Sequence, residues 1–376
     1  MPLSEDHRAV QDAVRAYVQD NIAPHAARWD KEHHFPAAEL KGLAGLGCYG
    51  VAVPNEWDGA GLDYLALAVI LEEIAAGDGG TSTVVSVNNC PVCSILMAWA
   101  NEAQKQQWLM PLARGDLLGA FCLTEPHVGS QADGLRTTAV KRGGEYVLNG
   151  VKQFITSGKN GDVAIVMAVT DKAAAKRGIS AFIVPTDAPG YKVARLEDKM
   201  GQHSSDTAQI VFENCTIPAP NLLAEEGMGL KIALSGLEGG RIGIAAQSVG
   251  MARAAFDAAL AYAKERVAFG KPIFEHQALQ FRLAEMATQI EAARQLNRHA
   301  ARLKDAGQPC LKEAAMAKLF ASEMAERVCS AALQIFGGYG YVSDFPVERI
   351  CRDVRVCQIY EGTSDVQKIL IGRALA

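Results

Sequence analysis

No stretch of this 376-residue chain offers the ~18–20 consecutive apolar residues that cross a bilayer. Val163–Ala168 and Ile369–Ile371, among its most apolar runs, are far shorter. A basic excess is missing too. The 37 Lys and Arg against 42 Asp and Glu leave a net charge of −5, which argues against nucleic acid as a partner, since that would call for a basic stripe. The N-terminus lacks the apolar core of a signal peptide and carries acids too early for a transit peptide. A cytoplasmic protein is expected, or a mitochondrial-matrix one if a leader has been trimmed. The nine cysteines are odd in number and scattered, so no disulfide framework is expected. Cys90-Pro-Val-Cys93 has a tempting spacing, but no second pair or paired histidines accompany it. It reads as buried thiols, and no metal is expected. Positive charge vanishes between Lys41 and Lys105; that region is buried or faces an apolar ligand.

What is present divides into three parts. Ser4 is placed to cap a helix on which Val10, Val14, Tyr17 and Val18 recur at helical spacing. Helical pattern continues over Ala37–Leu46, Leu62–Ala76, Val84–Trp99 and Glu102–Ala113. After Gly115-Asp116 the pattern becomes short Val-, Ile- and Phe-rich segments, Gly119–Thr124, Thr137–Val140, Glu145–Thr156, Asp162–Thr170, Ile179–Pro185 and Gln209–Phe212. Their Gly and Asn-Gly punctuation predicts a hairpin-rich antiparallel sheet, with Asn149-Gly150 the clearest turn signal. From Gly229 long amphipathic stretches at Leu230–Lys264, His276–Ala306, Leu311–Phe336 and Thr363–Leu375 predict a four-helix bundle. The expected fold is a multidomain α+β chain, with an N-terminal α-helical domain at 1–117, a middle antiparallel β domain at 118–222 and a C-terminal α-helical bundle at 223–376.

Gly45-Leu-Gly-Cys-Tyr-Gly50 matches a dinucleotide fingerprint, but a helix precedes it and the strand-like Val51–Val53 follows, the reverse of what the fingerprint requires. His33-His34 reads as a solvated pair. Three stretches can carry chemistry together. Phe121–Ser130 is a strand entering a turn, with the hydroxyls of Thr124 and Ser130. Phe154-Ile-Thr156 ends a strand with an aromatic and a hydroxyl. In Gln358–Asp365, Thr363 or Ser364 caps the last helix and leaves Glu361 just outside it, after Ile359-Tyr360. A carboxylate among apolar residues is a candidate general base, because desolvation lifts its pKa. A solvated loop glutamate is the alternative.

The stretches LTEPHVGS, KQFITSG, GISAFIVP, RVAFGKP, EHQALQF, LQIFGGYGYV and QIYEGTSDVQK, in this order, resemble the acyl-CoA dehydrogenase family of flavoenzymes along nearly the whole chain. The resemblance implies one FAD per subunit, usually in a homotetramer. It implies that Phe121, Leu123, Thr124, Ser130, Phe154 and Thr156 line the flavin, with Phe154 where many members carry Trp. Arg266, Phe269, Gln277, Gln334, Ile335, Gly337 and Gly338 match positions that reach a neighbouring subunit's FAD, and Gly362, Thr363 and Ser364 complete that set. Glu361 matches the base that removes the α-proton of an acyl-CoA while a β-hydride passes to the flavin. Electrons then go to an electron-transferring flavoprotein. Glu238, Arg241, Ser130, Tyr360 and Gly362 match substrate contacts, with a structural ion pair the alternative for Arg241. Some members carry the base on the first bundle helix, where this chain has Gly240. Short-chain (butyryl-type) and short branched-chain members are the nearest in pattern. His127 and Gln131 depart from the usual Glu-Pro-x-x-Gly-Ser-Asp, with Asp133 a shifted substitute. An oxidase or monooxygenase on the same fold, or a non-catalytic acyl-CoA-binding subunit, are the alternatives.

Overall fold

The computed structural model describes residues 2–375; the outermost expected domain limits, 1 and 376, lie outside them. The N-terminal part is helical, with α1 (Glu5–Asn21), α2 (Ala26–Glu32), α3 (Ala37–Gly45), α4 (Tyr64–Gly77), α5 (Gly79–Val87), α6 (Ser94–Trp99), α7 (Glu102–Gln104) and α8 (Met110–Arg114). Ser4 does cap α1, its hydroxyl accepting from the His7 amide at 3.2 Å. The charge-poor stretch is buried, as expected, because α4 is apolar on every side and nearly all its residues are enclosed. Its two carboxylates, Glu72 and Glu73, are held by Arg294 at 3.0 Å and by Arg253 and Arg15 at 2.6 and 2.8 Å. Buried charge is thus paired at the seam between this domain and the bundle.

One expected helix is interrupted, and a second carries a widened turn without breaking. Val84–Trp99 breaks at a widened turn over Asn88–Cys93, where Cys90 is extended and Pro91 offers no amide to continue the helix. Glu102–Ala113 has a similar widened turn at Lys105–Leu109. Val51–Val53 forms a turn, not a strand.

The middle part contains β1 (Gly119–Cys122), β2 (Thr138–Arg142), β3 (Glu145–Thr156), β4 (Val163–Val169), β5 (Ile179–Pro185), β6 (Tyr191–Leu196), β7 (Thr207–Pro218) and β8 (Leu222–Leu223). The sheet runs β6-β7-β3-β2-β4-β5-β8, with β1 added on β4. Most pairs are antiparallel, but β1 and β2 run parallel to β4, a correction to the hairpin expectation. Asn149-Gly150 is not a turn either. It forms a bulge inside β3, where the register against β7 shifts and the Asn149 side chain accepts from the Asn214 amide at 2.8 Å. The chain reverses instead at Gly143-Gly144. A Cβ on Gly150, whose φ is +149°, would lie 2.6 Å from the Thr137 Cα, so this bulge requires glycine.

The C-terminal part holds α9 (Gly229–Glu265), the small ribbon β9 (Val267–Ala268) and β10 (Lys271–Pro272), α10 (Gln277–Asp305), α11 (Leu311–Phe336), α12 (Val347–Val354) and α13 (Ser364–Leu375). Helix α9 packs against α4, α10 and α11 and is the central beam of the molecule. The β-domain loop around Gln202–Ser205 is bolted to this frame. The Gln202 amide donates to Asp353 Oδ1 and the Ser204 hydroxyl to Asp78 Oδ2, each at 2.5 Å. No described helix is long and apolar enough to cross a membrane.

Candidate active site

Glu361 sits in the short loop between α12 and α13. Its φ is +55° and that of Gly362 is +90°, two consecutive left-handed residues. Thr363 caps α13, its hydroxyl accepting from the Val366 amide at 3.3 Å, while the buried Ser364 hydroxyl has no partner. The loop turns the Glu361 side chain inward. Its Oε2 is closed off from solvent and makes no hydrogen bond, unlike the solvated loop residue the sequence allowed. Burial pushes this carboxyl up to about 7, with Arg241 and Lys318 acting in the opposite direction.

The space for the carboxylate comes from α9. A Cβ on Gly240 would lie 2.6 Å from Glu361 Oε2. The missing side chain of Gly240 is therefore the recess that receives the Glu361 carboxylate. Arg241 is buried beside it, and its Nε and Nη1 have no partner. No ion pair within 4 Å involves Arg241 among the described residues, although Glu361 and Glu238 act on it at longer range. Glu238 is engaged with Lys304 of α10 at 2.9 Å and with the Cys310 thiol. On the α11 side Lys318, fully buried, donates to the Gly362 carbonyl at 2.7 Å. The amides of Glu361, Gly362 and Thr363 have no acceptor among the described residues.

Next to Glu361 lies a buried polar cluster. The Tyr360 hydroxyl donates to Gln247 Oε1 at 2.5 Å, and the Gln247 amide donates to Thr83 Oγ1 at 2.5 Å and the Gly79 carbonyl at 2.6 Å. Gly240 and Gln247 are two helical turns apart on one face of α9, a spacing of about 10 Å at 1.5 Å per residue. Cys90, buried as expected, lies against α9 at Gly239.

The β-domain candidates form a second group. The Lys152 ammonium, fully buried, donates to the Leu123 carbonyl at 3.0 Å and to Glu125 at 2.8 Å. Glu125 also accepts from the Arg136 and Thr137 amides at 2.7 and 3.0 Å, and the Gln153 amide donates to the Thr124 carbonyl at 2.9 Å. These bonds join the Phe121–Ser130 turn to the end of β3. Phe154 there has φ +59° and is 62% exposed, with Thr156 half-buried beyond it. Leu123 itself packs into the core, so only its backbone faces the turn, whereas Ser130 is exposed. Asp133 is drawn to Lys176 at 3.3 Å, and His127 bonds the Gly134 carbonyl at 3.2 Å. Replacing Lys152 by Met would leave Glu125 buried without its countercharge, a loss of about 3–5 kcal/mol. Chemical denaturation of the variant measures it, and a loss near zero would show that the pair does not hold the turn.

A third group lies apart. Arg266 stacks over the Tyr339 ring at 5.9 Å, and Phe269 is 97% exposed with its edge to His276. Arg266, Ile335, Gly337 and Gly338 border an open cleft of about 490 Å³. Gln334 lines another of about 620 Å³ with Arg282 and Gln358, and Gln277 is exposed at the start of α10. No hydrogen bond, ion pair or ring contact among the described residues joins Arg266, Phe269 or Gln277 to Glu361 or Phe154. Lys152, Lys318, Gln247 and Gln367 were not singled out from sequence. The one available signal was a lysine on the alanine-rich, core-facing stripe of α11 that also contains Ala314, Ala321 and Ala325. His33 is exposed, as expected, though stacked on His203 at 4.1 Å.

The chain matches the descriptions "Acyl-CoA dehydrogenase, N-terminal domain" over 4–116, "middle domain" over 120–215 and "C-terminal domain" over 227–376. It is 47% identical to the human mitochondrial short-chain specific acyl-CoA dehydrogenase over 98% of this chain and 90% of that one. Among solved structures it resembles butyryl-CoA dehydrogenase from Megasphaera elsdenii, with TM-score 0.97, 41% identity and coverage of 100% and 99%. It also resembles a chain described under the electron-transferring flavoprotein of Acidaminococcus fermentans and flavin-based electron bifurcation, with TM-score 0.98, 46% identity and coverage of 100% and 99%. The family is FAD-dependent in general. With three collinear domains, a shared fold and close relatives at both the sequence and structural levels, the chain belongs to the acyl-CoA dehydrogenase family and is an oxidoreductase.

Proposed function

We propose that the protein dehydrogenates a short-chain or short branched-chain acyl-CoA to the trans-2-enoyl-CoA, with Glu361 as the base that takes the C2 proton. The carrying observation is the Glu361 carboxylate, buried and unpaired over Gly240, beside an Arg241 with free buried N–H groups. A C2–H is a weak acid, so the negative charge that develops on the thioester oxygen needs donors already in place. The unengaged Glu361 amide is such a donor. Arg241 adds positive charge without competing for the proton. Closed away from water, Glu361 is a stronger base than a solvated glutamate.

The orphaned Ser364 hydroxyl, the free amides at 362 and 363 and the exposed Phe154 at a bonded strand end fit an FAD. When bound, FAD supplies the acceptor for the C3 hydride. Phe121, Leu123, Thr124, Ser130, Phe154 and Thr156 would hold its flavin. Arg266, Phe269, Gln277, Gln334, Ile335, Gly337 and Gly338 would hold the FAD of a neighbouring copy in a homotetramer. Their separation from Glu361 within one chain supports that division. Glu238, Arg241, Tyr360 and Gly362 would meet the substrate, and an electron-transferring flavoprotein would take the electrons. The likeness to the short-chain specific and butyryl-CoA dehydrogenases supports a short acyl group.

Anaerobic mixing with acyl-CoAs of increasing length, followed by the flavin absorbance and product mass, tests this reading. Butyryl-, isobutyryl- or 2-methylbutyryl-CoA should bleach the flavin fastest. Fastest bleaching by long acyl chains would refute the short-chain reading. Reoxidation by air within turnover would favour the oxidase reading. Glu361 must be ionised to accept a proton, so the reductive rate should be full above pH 7 and fall about tenfold per unit below it. A fall delayed to the ordinary value of 4.5 would contradict the burial of the carboxylate.

A further inference from the structure

Lys318 has no role in the reaction just described, yet it is, with Arg241, a buried cation next to it. It projects from the middle of α11, fully enclosed, among alanines that otherwise form the core-facing stripe of that helix. A lysine in such a place is costly unless its ammonium is satisfied. Its hydrogen bond goes to the carbonyl of Gly362, at 2.7 Å. Gln367, also fully buried, donates from α13 to the same carbonyl at 2.8 Å and to the Glu361 carbonyl at 3.2 Å. Two side chains from two helices therefore grip the two peptide groups that follow Glu361.

Such a grip has a specific use at this point. Glu361 has a side chain and a φ of +55°, a conformation that non-glycine residues adopt at some cost. The planar trans peptide places each N–H opposite its carbonyl. Fixing the Glu361 and Gly362 carbonyls toward α11 and α13 therefore turns the Gly362 and Thr363 amides the other way, free of internal acceptors. It also holds the Glu361 carboxylate in its recess at Gly240.

We propose that Lys318 is the positioning residue for Glu361, holding the Gly362 carbonyl and setting a buried positive charge beside the carboxylate so that it can ionise. The inference rests on Glu361 being the base. The groups that bear on this pair come from every surrounding element: Arg241 on α9, Glu323 on α11, Cys357 after α12, and Cys90 in the N-terminal domain. Among them, Arg241 and Lys318 are the cations that favour ionised Glu361. Burial holds the Lys318 ammonium down to about 8, which leaves it charged where the base begins to work.

The test compares Lys318→Met, which removes bond and charge, with Lys318→Gln, which keeps a donor and loses the charge, both in the FAD-loaded protein. Ionisation of Glu361 is followed by infrared titration of its carboxyl band, identified as the band lost in Glu361→Gln. The acid limb of substrate-driven flavin bleaching is measured alongside. In both variants the Glu361 titration and the acid limb should move up by about one pH unit or more, as expected on loss of a nearby opposite charge. The maximal rate should fall by about 10–100-fold in Lys318→Met and less in Lys318→Gln, with KM little changed. Bound FAD and the thermal midpoint verify folding, and if Lys318→Met does not fold, Lys318→Gln decides alone. A carboxyl titration and acid limb that stay in place overturn the proposal, whatever happens to the rate. If Glu361→Gln bleaches normally, the base assignment has failed and this inference falls with it.

Discussion

Glu361→Gln is expected to bind FAD and butyryl-CoA and to lose flavin bleaching by about 10²–10⁴-fold, the usual contribution of a positioned base. Glutamine fills the same recess and leaves the backbone amide where it was, so what disappears is the proton acceptor alone. Every other listener to that charge stays in the site. Burial outweighs the pull of Arg241 and Lys318 and raises the Glu361 pKa, so its ionised form costs the fold stability and the thermal midpoint of Glu361→Gln should hold or rise. The rate is read per bound FAD by rapid anaerobic mixing, beside the thermal midpoint. A loss of less than about tenfold in folded, FAD-loaded protein would mean that another group takes the proton.

Gly240→Ala should be nearly as damaging, and for a different reason. The added Cβ would stand 2.6 Å from Glu361 Oε2 and 2.9 Å from Cδ, closer than real Cβ contacts come. The carboxylate is the end of a flexible side chain and α9 is the central beam, so the carboxylate moves and the helix does not. Displacing a reacting group by about 1 Å costs on the order of 10²-fold. Alanine is the better helix former by about 1 kcal/mol, so α9 itself is not weakened by the change. The expected signature is a rate about 10²-fold lower with a thermal midpoint that is unchanged or higher. A fully active Gly240→Ala would show that Glu361 does not use this recess during the reaction.

Much of the fold is legible in the sequence because the patterns are long or well punctuated. Ile179–Pro185 and Leu311–Phe336 begin and end where their periodicity says. The failures have local causes. In Val84–Trp99 the apolar pattern runs unbroken through Pro91, although the backbone cannot. Asn149-Gly150 carries a turn signal that the Asn214 partnership converts into a bulge. β6 was not anticipated because it is an edge strand with almost every residue exposed, so it shows no buried alternation. α12 is short, and its buried Arg349 and Asp353 pair with each other instead of following an apolar stripe.

The site was legible only in part. Glu361 and the Thr363 cap are local features, visible in one stretch. The enclosure of Glu361 is not, because its wall is the missing side chain of Gly240 on a distant helix. Lys318 and Gln247 act through partners on other elements and carry no local motif. For Arg241, sequence left two readings, and the buried guanidinium N–H groups without partners show no ion pair for the structural one.

The most direct test is anaerobic single-turnover bleaching by butyryl-CoA carrying deuterium at C2. If Glu361 removes the C2 proton as hydride leaves C3, C2 deuterium slows the bleaching, and the label is lost once from each product molecule. Bleaching at the unlabelled rate, with both C2 deuterons retained in the product, would contradict the assignment of Glu361 as the base at C2.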